Sequence, residues 1–410
     1  MLITNIKYLV NVRESTLLLR GNALAELPVL ENAFLKIKNN LIEDYGLMSD
    51  LTESDFNDEI YDAKQAAVLP SWCDSHTHLV FAASRENEFI DKIKGISYAD
   101  IAAKGGGILN SAKKLNETSE EVLLQQAQAR LNELIQLGTG AIEIKSGYGL
   151  SVEGELKMLR VIQQLKKQNS IPIKATFLGA HAFPATYKEN HSTYIDLIIK
   201  EMLPQIAKEN LADYIDVFCE DGFFTQQETE LICNAGTEYG LKSKIHANQL
   251  NISGGVQAGV NTNAVSVDHL ETIDEEEIEL LSKNNSPIAT LLPTAAFFLR
   301  MQYPPIRKLI NNNAAIALAS DFNPGSSPSG NMNFVVALSC IQMKVLPEEA
   351  INAATINGAY AMEVQDKTGS ITRGKLANLI FIRDIPSISY IPYSFGNNLI
   401  NKIMLNGNLI

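Results

Sequence analysis

Two histidines one residue apart, His76 and His78, follow the apolar run 66–69. If that run is a buried strand, alternate residues share a side and both imidazoles project together. Two neutral imidazoles side by side are the start of a metal site. A lone pair of this kind arises by chance, so its weight comes from the rest of the chain. There are six histidines in all, and His76, His78, His181, His246 and His269 each close an apolar, strand-like run. Only His191 lies elsewhere, and it reads as a surface residue. Other polar residues close such runs too: Glu143-Ile-Lys145-Ser-Gly-Tyr148, Glu220, Asp268, and Asp321-Phe-Asn323-Pro-Gly.

Each of these has a plainer reading. A histidine at a strand end can simply be hydrogen-bonded, and Glu143 can pair with Lys145. Asp321 before Asn-Pro-Gly can be a turn residue. Tyr148 between glycines can be an exposed loop aromatic. Their shared position favours the joint reading. Three imidazoles and one carboxylate suit Zn²⁺ or Fe²⁺ with a position left open for water. Such a metal lowers the pKa of that water, which is hydrolytic chemistry. A neighbouring histidine or carboxylate would move the proton.

Something must hold these residues together. The runs 67–73, 140–145, 173–178, 214–219, 242–246, 264–268, 288–292 and 315–320 alternate with amphipathic helical sequence. Thr118 with Glu121 and Thr225 with Glu228 fit capping boxes, Ser151 and Asp274 fit N-caps, and Gly138 and Gly240 fit helix stops. Eight β/α units predict an α/β fold, a (β/α)8 TIM-like barrel over 66–365, with the chemistry at the C-terminal strand ends. A doubly wound sheet is the rival, and no G-x-G-x-x-G follows the first run. Gly105-Gly106-Gly107 reads as a flexible loop. Short β runs at 6–12, 16–19, 33–37 and 40–45 are too few to stand alone. The polar stretch 49–62 reads as a loop. Further β runs at 378–383, 399–405 and 408–410 predict that 1–65 and 366–410 pair into one small β-sandwich domain.

Composition excludes some partners. The chain has 410 residues, 46% hydrophobic and 20% charged, with a formal net charge of −13. That excess of negative charge argues against nucleic acid or an anionic membrane as partner, although a local arginine can still take an anionic substrate. No apolar stretch approaches the length of a membrane span, and the N-terminus does not read as a signal peptide. Cys73, Cys219, Cys233 and Cys340 form no C-x-x-C pair and read as reduced thiols of a cytoplasmic protein.

With these residues in place, the chain resembles the amidohydrolase superfamily and, within it, the imidazolonepropionase family. The resemblance runs over nearly the whole chain. It rests on H-T-H-L-V-F-A-A-S-R-E-N-E-F from His76, G-G-G-I at 105–108, E-I-K-S-G-Y-G-L at 143–150 and T-F-L-G-A-H-A-F-P at 176–184. To these it adds D-V-F-C-E at 216–220, D-H-L-E at 268–271, L-L-P-T-A-A-F-F-L at 291–299 and S-D-F-N-P-G-S-S at 320–327. It implies hydrolysis of 4-imidazolone-5-propanoate to N-formimidoyl-L-glutamate, a step of histidine degradation. It also implies one divalent metal per chain, Zn²⁺ or iron as Fe²⁺/Fe³⁺, in a cytoplasmic homodimer with no nucleic-acid or membrane partner. By the same resemblance the metal ligands are His76, His78, His246 and Asp321. Substrate contacts fall on Arg85, Tyr148, His181, Gln249, Asn323, Gly325 and Ser326.

These roles are chemically sensible. Arg85 can grip a carboxylate with its fork. His181 or Tyr148 can donate to the ring carbonyl as it gains charge. Asn323 and the backbone around Gly325 can take the remaining polar atoms. Some relatives carry Glu where this chain has Gln249, and an amide cannot be a base, so proton transfer falls to Asp321, His269 or both. Asn378 replaces an aspartate common near the C-terminus, an exchange expected to matter structurally at most. The rivals are another cyclic amidohydrolase, a ring aminohydrolase, or a non-catalytic scaffold. Gln249 counts against the aminohydrolase, and the complete ligand set counts against the scaffold.

Overall fold

The computed structural model describes residues 1–57, 59–96 and 106–410. The chain begins with β1 (Leu2–Val10), β2 (Val29–Lys38), β3 (Leu41–Leu47), β4 (Ile60–Asp62) and β5 (Ala67–Pro70). The barrel strands follow: β6 (Trp72–Asp74), β7 (Thr139–Lys145), β8 (Ile173–Ala180), β9 (Tyr214–Cys219), β10 (Lys242–Ala247), β11 (Ser266–His269), β12 (Ile288–Leu291) and β13 (Ile316–Leu318). The chain returns through β14 (Leu379–Ile382), β15 (Ile400–Leu405) and β16 (Asn408–Leu409).

Strands β6 to β13 form one parallel sheet in chain order. Its ends meet where His78 N–H donates to Phe322 O at 2.9 Å and Asp321 N–H donates to His76 O at 3.0 Å. Closure therefore falls on the two segments that carry His76, His78 and Asp321. The strands are buried on both faces, as expected of parallel strands covered by helices. Thr225 and Glu228 do form a capping box, and Ser151 and Asp274 cap their helices. At the helix Glu120–Gln136 the cap is Ser119, one residue beyond the expected Thr118. Of the glycines at 105–107, Gly105 lies outside the described residues, and Gly107 precedes the helix Ile108–Glu117 with φ of 83°. No helix among the described residues is long and apolar enough to cross a membrane.

Both chain ends supply the second sheet, in the order β16-β15-β14-β5-β1-β2-β3 with β4 on β1. Hydrogen bonds run through it continuously, so it is one mixed sheet rather than two separate layers. It curls until Leu41 bridges Leu376, around a core of Ile3, Leu35, Val68, Phe381 and Met404. The run 67–73 proves to be two strands. Ala67–Pro70 pairs with β1 and β14, and only Trp72–Asp74 joins the barrel. The changeover falls at the buried Ser71, whose N–H donates to Asn378 O at 3.0 Å. The expected run 16–19 is not a strand, and 49–62 contains two short 3-10 turns and β4. Asn378 joins the two parts: its amide donates to Gly140 O at 3.2 Å and its side-chain oxygen accepts from Asn406 N–H at 2.8 Å.

Candidate active site

At the C-terminal mouth of the barrel, ligand atoms of His76, His78 and Asp321 lie within 4.8 Å of one another, as do those of His76, His246 and His269. His76 Nε2 and His78 Nε2 stand 3.5 and 3.6 Å from the same oxygen of Asp321. His246 Nε2 is 3.4 Å from His78 Nε2. His76 Nε2 is buried and has no hydrogen-bond partner, which is costly for a polar atom unless it meets an electrophile. Burial, together with the positive Lys145 and neighbouring rings, keeps the His76 pKa far below the usual histidine value. Burial and the adjacent His181 and His246 rings do the same for His78. Neutral imidazoles with inward lone pairs, and a carboxylate beside them, fit a divalent cation.

The orientation of these rings is set from behind. His76 Nδ1–H donates to Asp268 at 2.6 Å, and His246 Nδ1–H donates to Asp216 at 2.8 Å. Each aspartate thereby fixes one tautomer and turns Nε2 toward the centre. Both aspartates share Lys145, which lies 2.8 Å from Asp216, 3.4 Å from Asp268 and 2.7 Å from Glu143. The other oxygen of Glu143 pairs with Lys244, and all five side chains are fully buried. Burial alone would raise the Asp216 pKa, but the His246 ring and Lys145 hold it well below the carboxylate range. Lys145 is opposed by burial, yet its three carboxylate neighbours raise it above the usual lysine value. The plain reading of Glu143 and Lys145 as a pair is therefore correct but incomplete.

His269 stands beside this cluster, its ring centroid 5.3 Å from that of His246 and its Nδ1 3.4 Å from Glu271. Both His269 (φ 86°) and Asp321 (φ 52°) adopt the left-handed backbone region, a strained choice for side chains of this size. The cluster opens into a cavity of about 650 Å³ lined by Arg85, Tyr148, His181, Gln249, His269, Asp321, Asn323, Gly325 and Ser326, among others. Every expected substrate contact therefore faces one space. Tyr148 is buried, not an exposed loop residue, and burial raises its phenol pKa, so it keeps its proton. His191 is half-buried and stacks on Phe183 at 3.6 Å, away from the cavity.

A model of the amidohydrolase family matches residues 67–410. The chain is 58% identical to the imidazolonepropionase of Flavobacterium johnsoniae, spanning 100% of this chain and 99% of that one. It is 53% identical to the imidazolonepropionase of Christiangramia forsetii, with 100% of each covered. This chain belongs to the imidazolonepropionase family of amidohydrolases. Solved structures with the same fold include a zinc-bound adenosine deaminase from Xanthomonas campestris (TM-score 0.70, 16% identity, 100% of this chain and 92% of that one). An atrazine chlorohydrolase mutant from Arthrobacter aurescens, complexed with zinc and atraton, is a second (TM-score 0.74, 14% identity, 100% and 94%).

In this imidazolonepropionase-family chain, existing hydrogen bonds limit what three of the expected contacts, His181, Asn323 and Arg85, can do. His181 Nδ1 lies 3.0 Å from the Gly147 carbonyl and so must carry the proton. Burial lowers its pKa to about 3, so the ring is neutral and its Nε2 can only accept. His181 is therefore no donor to a ring carbonyl. Asn323 is fully engaged within its own loop. Its oxygen accepts from Gly325 N–H and Ser326 N–H, both at 2.8 Å, and its amide donates to Asp321 O and Ser326 Oγ, both at 2.7 Å. It shapes the loop, and the Gly325 N–H is no longer free for a ligand. Finally, Arg85 already grips an anion. Its Nε and Nη2 donate to one oxygen of Glu88 at 2.8 and 2.6 Å, while the other oxygen accepts from Gly107 N–H at 2.9 Å.

Glu88, Asp216 and Lys244 were not singled out from the sequence. Period-2 polar alternation inside an apolar run, as in Lys244/His246, was the available signal for Lys244, and Asp216 opens the quoted stretch D-V-F-C-E. Glu88 carries none. The Arg85 fit yields a prediction at Gly325. A Cβ built there would lie 2.2 Å from Arg85 Nη1 and 2.9 Å from its Cζ. Gly325→Ala should push the guanidinium aside and lower kcat/KM by about tenfold or more, the scale of a charge-assisted hydrogen bond. Steady-state kinetics check this, and an unchanged kcat/KM would mean that Arg85 does not meet the substrate.

Proposed function

We infer that this chain hydrolyses 4-imidazolone-5-propanoate to N-formimidoyl-L-glutamate, a step of histidine degradation. The observation that carries this reading is end-to-end identity above one half with proteins named imidazolonepropionase. The cavity supports it, since one wall carries cations suited to a propanoate tail and its floor holds the histidine cluster.

His76, His78, His246 and Asp321 would hold one divalent metal, Zn²⁺ or Fe²⁺. When bound, it polarises the ring carbonyl and lowers the pKa of water at the site. The chain's own groups do the rest. The substrate ring lies against Tyr148 and His181, with the bare His181 Nε2 accepting a ring N–H and the Tyr148 hydroxyl donating to an oxygen. Gln249, which lines the same cavity, orients the ring. Water adds through oxygen to the carbonyl carbon, and Asp321 takes its proton. Asp321 is held for this by Ser326 Oγ at 3.2 Å. His269 faces the same point and stabilises the oxygen that gains charge. The proton then passes to the ring nitrogen as the C–N bond breaks, leaving a carboxylate and a formimidoyl nitrogen, so one group acts as base and then as acid.

The test is an assay of the purified chain on 4-imidazolone-5-propanoate, with metal analysis of the same sample. Turnover with about one metal per chain is expected. A metal-loaded, folded chain that leaves this substrate intact would overturn the reading.

A further inference from the structure

Arg85 is the obvious receptor for a carboxylate, yet its charge is already matched. Glu88 takes its Nε–Nη2 edge, and Nη1 lies against Gly325. The Gly325 and Ser326 amides beside it are taken, because Asn323 holds both N–H groups. A second cation stands at this spot. Lys92 lies seven residues after Arg85, two turns along the helix Glu86–Ile93, so the two side chains share a face. Its Nζ donates to Gly325 O at 3.3 Å and lies 5.9 Å from the centre of the Phe298 ring, and both Lys92 and Phe298 line the cavity. Burial and the adjacent guanidinium pull the Lys92 pKa down from the usual lysine value. Among the described residues, Glu88 is the one carboxylate that acts on both cations, which leaves one positive charge for a ligand to match.

We propose that Lys92 is a specificity-determining residue of this cavity, binding the substrate's carboxylate jointly with the free Nη edge of Arg85. This deepens the function inferred above and rests on it. The ammonium exchanges the neutral Gly325 carbonyl for an anion, while Glu88 keeps the guanidinium in place. The arrangement selects a ligand with one negative charge at the end of a short apolar arm that passes Phe298. Uncharged relatives of the substrate gain nothing from it.

The experiment compares wild type, Lys92→Met and Lys92→Arg, all metal-loaded. Calorimetry measures binding of imidazole-4-propanoate and of its methyl ester, and kinetics measure KM and kcat on 4-imidazolone-5-propanoate. Lys92→Met should weaken the carboxylate ligand by about tenfold or more, as for a hydrogen bond to a charged group. It should leave ester binding within about twofold, and raise KM more than it lowers kcat. Lys92→Arg should recover most of the carboxylate affinity. Equal weakening of acid and ester, or no change in either, would overturn the proposal. The calorimetric comparison stands even if the wild type fails to turn over this substrate, so failure of the two readings can be told apart.

Discussion

His246→Ala is expected to yield a folded protein that holds no metal and hydrolyses nothing. His246 sits at the middle of the cluster, 3.4 Å from His78 Nε2 and with its ring 4.5 Å from that of His76. Its loss removes one inward lone pair and also strips Asp216 of the ring it orients, leaving that carboxylate to Lys145 and the backbone N–H of residue 246. Removing an outer partner of a metal ligand typically costs about 10–100-fold in affinity, and removing a ligand costs more. The side chain is buried at a strand end, so truncation also leaves a cavity of a few methylenes, a loss of about 2–4 kcal/mol that a domain of this size can carry. Metal content by plasma emission and a cooperative thermal transition are the measurements. Full occupancy in a folded His246→Ala protein would refute the ligand set.

The second large effect is expected at His269. His269→Asn should keep the metal but lower kcat by roughly 10²–10⁴-fold, the usual size of an acid–base or charge-stabilising contribution. Gln249 cannot titrate, so the proton leaving water has to be handled by Asp321 and a group near it. His269 is that group: it closes β11, faces His246 and lies near Asp321 in the same cavity wall. Gln249→Ala should be milder, costing orientation more than proton transfer. Metal content and kcat of the two variants, measured side by side, decide the matter. Loss of metal in His269→Asn would make His269 a ligand with His76 and His246. Wild-type turnover there, with a dead Gln249→Ala, would reverse the roles of the two residues.

The barrel was legible because its strands announce themselves twice. Each is an apolar run buried on both faces, and most end on a residue that no core would choose. His76, His181, His246 and Asp321 are where the run-ending rule put them. What could not be read was everything that depends on two segments meeting. Ser71 as the point of passage between the two sheets needs the partners of β5 and β6. The lock of His76 by Asp268 and of His246 by Asp216 needs four strands in register. Asn323 looked like a ligand for substrate because only the folded loop shows its amide already saturated. Glu88 was silent because a glutamate on a solvent-facing helix is the commonest of signals, and only the guanidinium of Arg85 gives it meaning.

The buried lysine beneath the mouth makes two of the histidines one mechanical unit. Lys145 Nζ lies 2.8 Å from Asp216 and 3.4 Å from Asp268, and those two carboxylates hold the His246 and His76 rings from behind. A turn of either ring draws its aspartate away from the ammonium that the other aspartate also uses, so the two Nε2 lone pairs keep a common aim. Two ligands carried by strands far apart in the chain are thereby yoked through one side chain that touches neither ring.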